Sequence, residues 1–513
     1  MALLRRASTV ALITLGSRGL GFVRDAMVAA LFGTGMVADA SVAGLALPQL
    51  ARRLLGEGAL NAAILPALAR EEEDGRARLA GAALLLFALA ALAVSAALFV
   101  FMTPVVGVLA PGFDMEGPRG TGAVMVARFA IACVPLALVA GVLGAVTNAG
   151  GRYAAPAFGP VAGNLAVIAL IIALMMAGGR GMAMDTALLW LAGAALAGAL
   201  TQFALVALAV PAGALAVPRS DDLARALPML GAALPSLFAS ALPQLRFLVA
   251  AAAASALTGG VAALFYATRL VELPLGLVGA SAGAVLLPAL AQNPAGKGAR
   301  GGTQVGAHGV EAALALSLPA ALGLAVLAEP IVAVLFQRGA FDAEATRLTA
   351  TAMALIALTL PLQASEKVLA AIAFTQGLSR LVTRFGLLAL GIGAVVGFSA
   401  TPMLGIAGPA LGVLASSLAS LCGLALALGR RRLIVLDRPA WRRLRGLGGA
   451  ALAMAGAIAL ARLALAGPLA GGGVRGAGAL AVLVAGGVVV YGVAARLFGG
   501  IAFATLRAAF ARR

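Results

Sequence analysis

Residues 78–103 read RLAGAALLLFALAALAVSAALFVFMT, and no charged side chain follows Arg78 in the stretch. A helix needs about 20 apolar residues to cross a bilayer core of about 30 Å, and soluble helices rarely sustain such a run. Comparable runs recur along most of the 513 residues, of which 62% are hydrophobic and only 11% charged; the mean hydropathy is +1.06. The pattern predicts an all-α, polytopic membrane protein.

Reading apolar runs against loop signals gives about fourteen transmembrane helices, at 8–33, 37–66, 78–103, 121–148, 155–177, 186–210, 222–256, 260–291, 307–336, 344–376, 381–399, 404–428, 446–466 and 477–497. Arg5 and Arg6 precede the first run, which contains Arg18 and Arg24 and lacks a small-residue cleavage site. It reads as a retained helix rather than a signal peptide.

A net charge of +18 in a soluble protein would suggest nucleic acid. Here the basic residues form no domain or tail and sit mainly between the apolar runs, so no nucleic-acid partner is expected. Arg70, Arg76, Arg78, Arg152, Arg219, Lys297, Arg300, Arg380, Arg384 and the run from Arg430 to Arg445 fall on one side of the membrane. Positive loops mark the cytoplasm, which places both termini inside.

Three prolines recur at one offset: Pro48 with Pro274, Pro104 with Pro330 and Pro135 with Pro361 are each 226 residues apart (274−48, 330−104, 361−135). Their neighbourhoods agree, Pro104-Val105-Val106-Gly107-Val108-Leu109 with Pro330-Ile331-Val332-Ala333-Val334-Leu335. Six helices separate equivalent positions, so the copies share one orientation, as in transporters with parallel repeats. The expected plan is an N-lobe over 1–215, a C-lobe over 216–432, and helices thirteen and fourteen with a tail over 433–513. The two six-helix lobes would rock about a central cavity.

Charges stand where lipid should be. Ser17, Arg18, Gly21, Arg24 and Asp25 fall within roughly 120° of one helix face at 100° per residue. Helix two adds Asp39, Arg52, Arg53 and Glu57, with Pro48 expected to bend it; helix eight adds Arg269 and Glu272. An arginine at the bilayer centre costs about 2.5–3.5 kcal/mol even on lenient scales, so several imply a water-filled, protein-lined cavity. Their guanidinium forks suit a phosphate or pyrophosphate, although pairing with Asp25, Asp39, Glu57 and Glu272 is the plainer reading of the same residues.

Enzymatic signals are weak. His308, the single histidine, reads as a loop residue, and Glu71-Glu72-Glu73-Asp74 reads as a solvated charge run beside arginines rather than a metal cluster. Cys133 and Cys422 lack metal or redox spacing and read as packing residues. No metal or cofactor is expected. A cationic-drug pump would favour carboxylates over arginines in its cavity, and a scaffold has no reason to bury them.

The stretch Ser17-Arg18-Gly19-Leu20-Gly21-Phe22-Val23-Arg24-Asp25, with Phe32-Gly33, Asp39-Ala40, Pro48, Arg52-Arg53-Leu54 and Gly56-Glu57-Gly58-Ala59, resembles the MurJ (MviN) family of lipid II flippases. Leu109-Ala110-Pro111-Gly112-Phe113, Arg269-Leu270, Leu273-Pro274-Leu275-Gly276 and Phe336-Gln337-Arg338-Gly339-Ala340-Phe341 extend the similarity over roughly 1–430. The resemblance implies a flippase of the multidrug/oligosaccharidyl-lipid/polysaccharide export superfamily that moves lipid II, the undecaprenyl-pyrophosphate-linked peptidoglycan precursor, to the periplasmic leaflet. By resemblance Arg18, Arg24, Arg52 and Arg269 would line its cavity and Asp39 would be needed there; from their positions Arg53 is read with the binding arginines, and Ser17, Asp25, Glu57 and Glu272 with Asp39 as tuning or gating it. Membrane lipids and cell-wall synthesis proteins are the implied partners. Ala46 and Gln49 depart from the lysine and asparagine usual in relatives, and helices seven and eleven lack the carboxylates of a proposed sodium site. The alternative cargo is another polyprenyl-linked oligosaccharide, such as an O-antigen or capsule precursor.

Overall fold

The computed structural model describes residues 2–56, 59–291 and 299–500, and among them there is helix but no strand. The elements are α1 (Ala2–Phe32), α2 (Met36–Gly44), α3 (Ala46–Gly56), α4 (Ala59–Leu68), α5 (Glu73–Val100), α6 (Met102–Leu109), α7 (Pro118–Ala130), α8 (Cys133–Ala149), α9 (Ala154–Met176), α10 (Met184–Leu208) and α11 (Ser220–Ala254). They continue as α12 (Gly260–Ala291), α13 (Ala299–Val326), α14 (Ala328–Phe336), α15 (Ala343–Ala357), α16 (Leu360–Thr375), α17 (Ser379–Leu404), α18 (Ala407–Arg430), α19 (Arg438–Ala464), α20 (Ala466–Ala470) and α21 (Gly473–Leu497).

Among the described residues nine helices, or ten counting α15 with α16 as one span bent by 41°, are long and apolar enough to cross a membrane. They correspond to ten of the fourteen expected spans. The other four, 8–33, 37–66, 222–256 and 260–291, each run into residues whose side chains lie outside the described set; they carry Arg18, Arg52, Arg246 and Arg269.

Proline explains why expected single spans arrive as two helices. It offers no N–H to the carbonyl four residues back, and its ring clashes with that carbonyl. Accordingly α2 ends at Gly44, α5 at Val100, α13 at Val326 and α15 at Ala357, each four residues before Pro48, Pro104, Pro330 or Pro361. α7 ends at Ala130, five before Pro135. Two of the three repeated proline pairs thus break both copies alike. The third does not, for α12 runs unbroken through Pro274.

By packing, the chain forms two compact units, Met1–Ala262 with Gly339–Phe341, and Ala263–Arg338 with Asp342–Arg513. In the first, α1 packs on α9, α9 on α10, α2 on α7, and α5 on both α8 and α11. Leu60, Ile64, Leu68, Leu79 and Phe87 meet Ala226, Met229 and Ala233 of α11 in a shared core, which is why α11 belongs with this unit. The 1–215 and 216–432 lobes drawn from the repeat divide the chain differently, by topology rather than by packing. In the second unit α17 packs on α18, α13 on α16 and α19, and α19 on α21.

The tightest approaches use glycine, whose missing side chain lets helix backbones meet where no hydrophobic drive between helices exists. A Cβ on Gly163 of α9 would lie 2.8 Å from the Gly198 carbonyl oxygen of α10, and one on Gly393 of α17 would lie 2.9 Å from that of Gly412 on α18. Cys133 is buried but Cys422 is exposed, so the packing role expected of both cysteines holds for Cys133 alone.

Candidate functional site

Helix α1 assembles the first cluster. Arg24 bonds its neighbour Asp25 through Nε at 2.9 Å and Nη2 at 2.7 Å, and reaches Asn164 Oδ1 of α9 at 3.3 Å. Asn164 donates in turn to the Ser17 carbonyl at 3.0 Å and to Ser17 Oγ at 3.4 Å. Gly21 lets α9 come close, since its Cβ would stand 3.6 Å from Asn164 Nδ2. Ser17, Arg24 and Asp25 are therefore one network, with the Arg24 and Asp25 side chains 12% and 5% exposed. Arg18 is exposed on the same helix.

Asp39 serves elsewhere. Its carboxylate is fully buried and accepts the Gly259 N–H at 2.8 Å, the Ala262 N–H at 2.9 Å and a bond from Arg119 at 3.4 Å. It caps the first turn of α12, where unpaired N–H groups and the helix dipole favour an anion. Arg119 also donates to the carbonyls of Ser255 and Leu257 at 3.4 and 3.2 Å and stacks 4.7 Å over the Phe113 ring. The chain closes tightly here because Gly259 takes φ +75°, and a Cβ on it would stand 2.6 Å from the Thr34 carbonyl oxygen.

Arg53 on α3 donates to Gln244 Oε1 of α11 at 2.5 Å, and Arg52 beside it is partly buried. Glu57, the expected partner of Arg53, lies outside the described residues. In the second unit Arg269 of α12 donates to Glu272 at 3.2 Å, one turn along, and stacks 4.7 Å over the Phe265 ring. The acidic run has an ion-pairing use: Glu71 pairs with Arg225 of α11. Among the described residues no group of three His, Cys, Asp or Glu side chains is arranged to hold a metal ion.

Sequence reasoning missed Asn164, Gln244, Arg119 and Arg246. Asn164 was signalled as a lone polar residue inside the apolar run 155–177, and Arg246, 4% exposed, as a lone charge inside 222–256. Arg119 had only a place in a weakly charged loop.

Such a fold, with arginines carried on otherwise apolar helices, defines a class: polytopic, all-helical membrane transporters. A solved inward-facing MATE family transporter of the MOP superfamily matches over 83% of this chain and 98% of its own, with a TM-score of 0.63 and 18% identity. A solved structure described as lipid II flippase MurJ in an inward closed conformation matches over 95% of this chain and 98% of its own, with a TM-score of 0.77 and 18% identity. The chain belongs to the MurJ family, whose model, described as lipid II flippase MurJ, matches residues 28–470. A probable lipid II flippase MurJ of Rhizobium meliloti (strain 1021) is 36% identical over 374 residues, 70% of this chain and 68% of the relative. One of Rhizobium tropici is 29% identical over 519 residues, covering 99% and 96%. Arg52, Arg53 and Arg269 lie within the family match; Ser17 to Asp25 precede it.

Proposed function

We propose that this multi-pass membrane protein is a lipid II flippase and not an enzyme, moving the undecaprenyl-pyrophosphate-linked precursor from the cytoplasmic to the periplasmic leaflet by alternating access. The observation that carries the reading is that Arg18, Arg24, Arg52, Arg53 and Arg269 all sit within apolar expected spans, in a chain that the MurJ family model matches. The charge bias of the loops supports an inner-membrane location with both termini cytoplasmic.

The pairings suggest how the site works. A guanidinium taken from water is costly unless paired, and Asp25 and Glu272 supply that pairing within their own helices. A pyrophosphate brings more oxygens and more charge than one carboxylate, so it joins or displaces those partners while the arginine stays neutralised throughout. The polyprenyl tail gains nothing in a hydrated cavity and stays in the bilayer. Asp39 acts as a positioning residue, holding the start of α12, the helix that carries Arg269.

The test is a leaflet-accessibility assay in cells depleted of their own flippase. Expression of this chain is expected to restore periplasmic exposure of lipid II. Unchanged exposure with the protein present in the membrane would shift the reading to another polyprenyl-linked oligosaccharide.

A further inference from the structure

The arginines of α19 divide by direction. Arg443 turns toward α13 and holds Glu311 through two bonds of 2.9 and 2.8 Å. Arg438, Trp441, Arg442 and Arg445 lie within about 100° of one another on a different face, at 100° per residue. With Gly446 and Phe498 they line a pocket of about 820 Å³. The three arginines make no ion pair or hydrogen bond among the described residues, and all three are exposed.

The walls are fixed. A Cβ on Gly446 would lie 2.5 Å from the Phe498 carbonyl oxygen, so the end of α21 rests directly on α19. Tyr491 of α21 donates to the Ala315 carbonyl of α13 at 2.7 Å. Along α19 the pocket face then turns apolar: Leu452, 66% exposed, continues the line of Arg438 and Trp441, about 10 Å beyond Arg445.

We propose that this pocket binds the phosphate of an anionic phospholipid headgroup in the leaflet on the basic side of the membrane. Arginine forks match phosphate oxygens. Tryptophan favours the headgroup level, and basic pockets between spanning helices on the cytoplasmic side take anionic headgroups. The lipid, rather than free phosphate, is indicated by the apolar face below, which receives acyl chains. Helices thirteen and fourteen, outside the repeat, thereby anchor the protein to acidic lipid.

Trp190 and Trp441 are the two tryptophans, so Trp190→Phe leaves one reporter, inside the pocket. The full chain carrying this change is reconstituted in phosphatidylcholine vesicles, and brominated phosphatidylglycerol or brominated phosphatidylcholine is titrated in. Quenching by the brominated phosphatidylglycerol is expected at a lower mole fraction, and Arg442→Gln with Arg445→Gln is expected to weaken that preference by about fivefold per arginine. Arg380→Gln with Arg384→Gln removes equal charge on the same side and is expected to leave the preference intact. Equal quenching by both lipids, or an equal loss in the control, would each overturn the proposal; inorganic phosphate acting on Trp441 while the two lipids quench alike would assign the pocket to free phosphate instead. If Trp190→Phe impairs folding, the chain retaining Trp190 is titrated with and without the pocket arginines, and the difference is read the same way.

Discussion

Span Ser379–Leu404 is joined to Ala407–Arg430 by glycine against backbone, whereas the helix carrying Arg24 is joined to its neighbour by Asn164 bonding both Arg24 and Ser17. The first kind of contact specifies distance only. The second specifies which atoms meet, and so can be rearranged by an incoming anion. Substitutions at the two kinds of contact should therefore have different effects, on packing in the first case and on function in the second.

The largest effect is expected at the charged helices. Arg24→Ala or Arg269→Ala should abolish rescue of a flippase-depleted strain while membrane expression stays at the wild-type level; lysine at either position should rescue only in part, because it keeps charge but loses the fork. Full rescue by the alanine variants would remove these residues from the site. Asp39→Ala comes next, since it strips the acceptor from two backbone N–H groups and leaves Arg119 without its carboxylate. Breaking a buried pair from one side costs about 3–5 kcal/mol, visible as a lowered midpoint of thermal unfolding. Asp39→Asn should lose less.

Among the apolar spans, Gly393→Val should cost about 1–3 kcal/mol through overpacking because α18 backbone stands within 3 Å of its Cβ position, whereas Gly391→Ala, in open space, should cost nothing measurable. Complementation by Gly393→Val should fail only where its membrane level falls. The smallest effect is expected at Arg347, whose pair with Glu344 is exposed; Arg347→Ala should leave the unfolding midpoint unchanged.

How much of this was legible in the sequence follows the same division. Apolar runs are local signals and gave the spans, but the breaks at Val326 and Ala357 fall inside single expected spans, because a proline ends a helix in some places and is tolerated in others, as Pro274 is within α12. The clustering of Ser17, Arg24 and Asp25 was legible too, because it lies within one helix. Partners from distant sequence were not: Asn164 lies 140 residues from Arg24, and the N–H groups that hold Asp39 belong to Gly259 and Ala262. A backbone donor has no residue identity to read, so nothing in the sequence tied Asp39 to the start of α12.

The most direct measurement places a single cysteine at position 18 in a chain with Cys133 and Cys422 replaced, and compares a charged, water-soluble thiol reagent with a lipid-soluble one in cells and inverted vesicles. Labelling by the charged reagent, slowed by added lipid II, is predicted if helix one faces water that the precursor's headgroup displaces. Labelling by the lipid-soluble reagent alone would place Arg18 against acyl chains and contradict the proposed path.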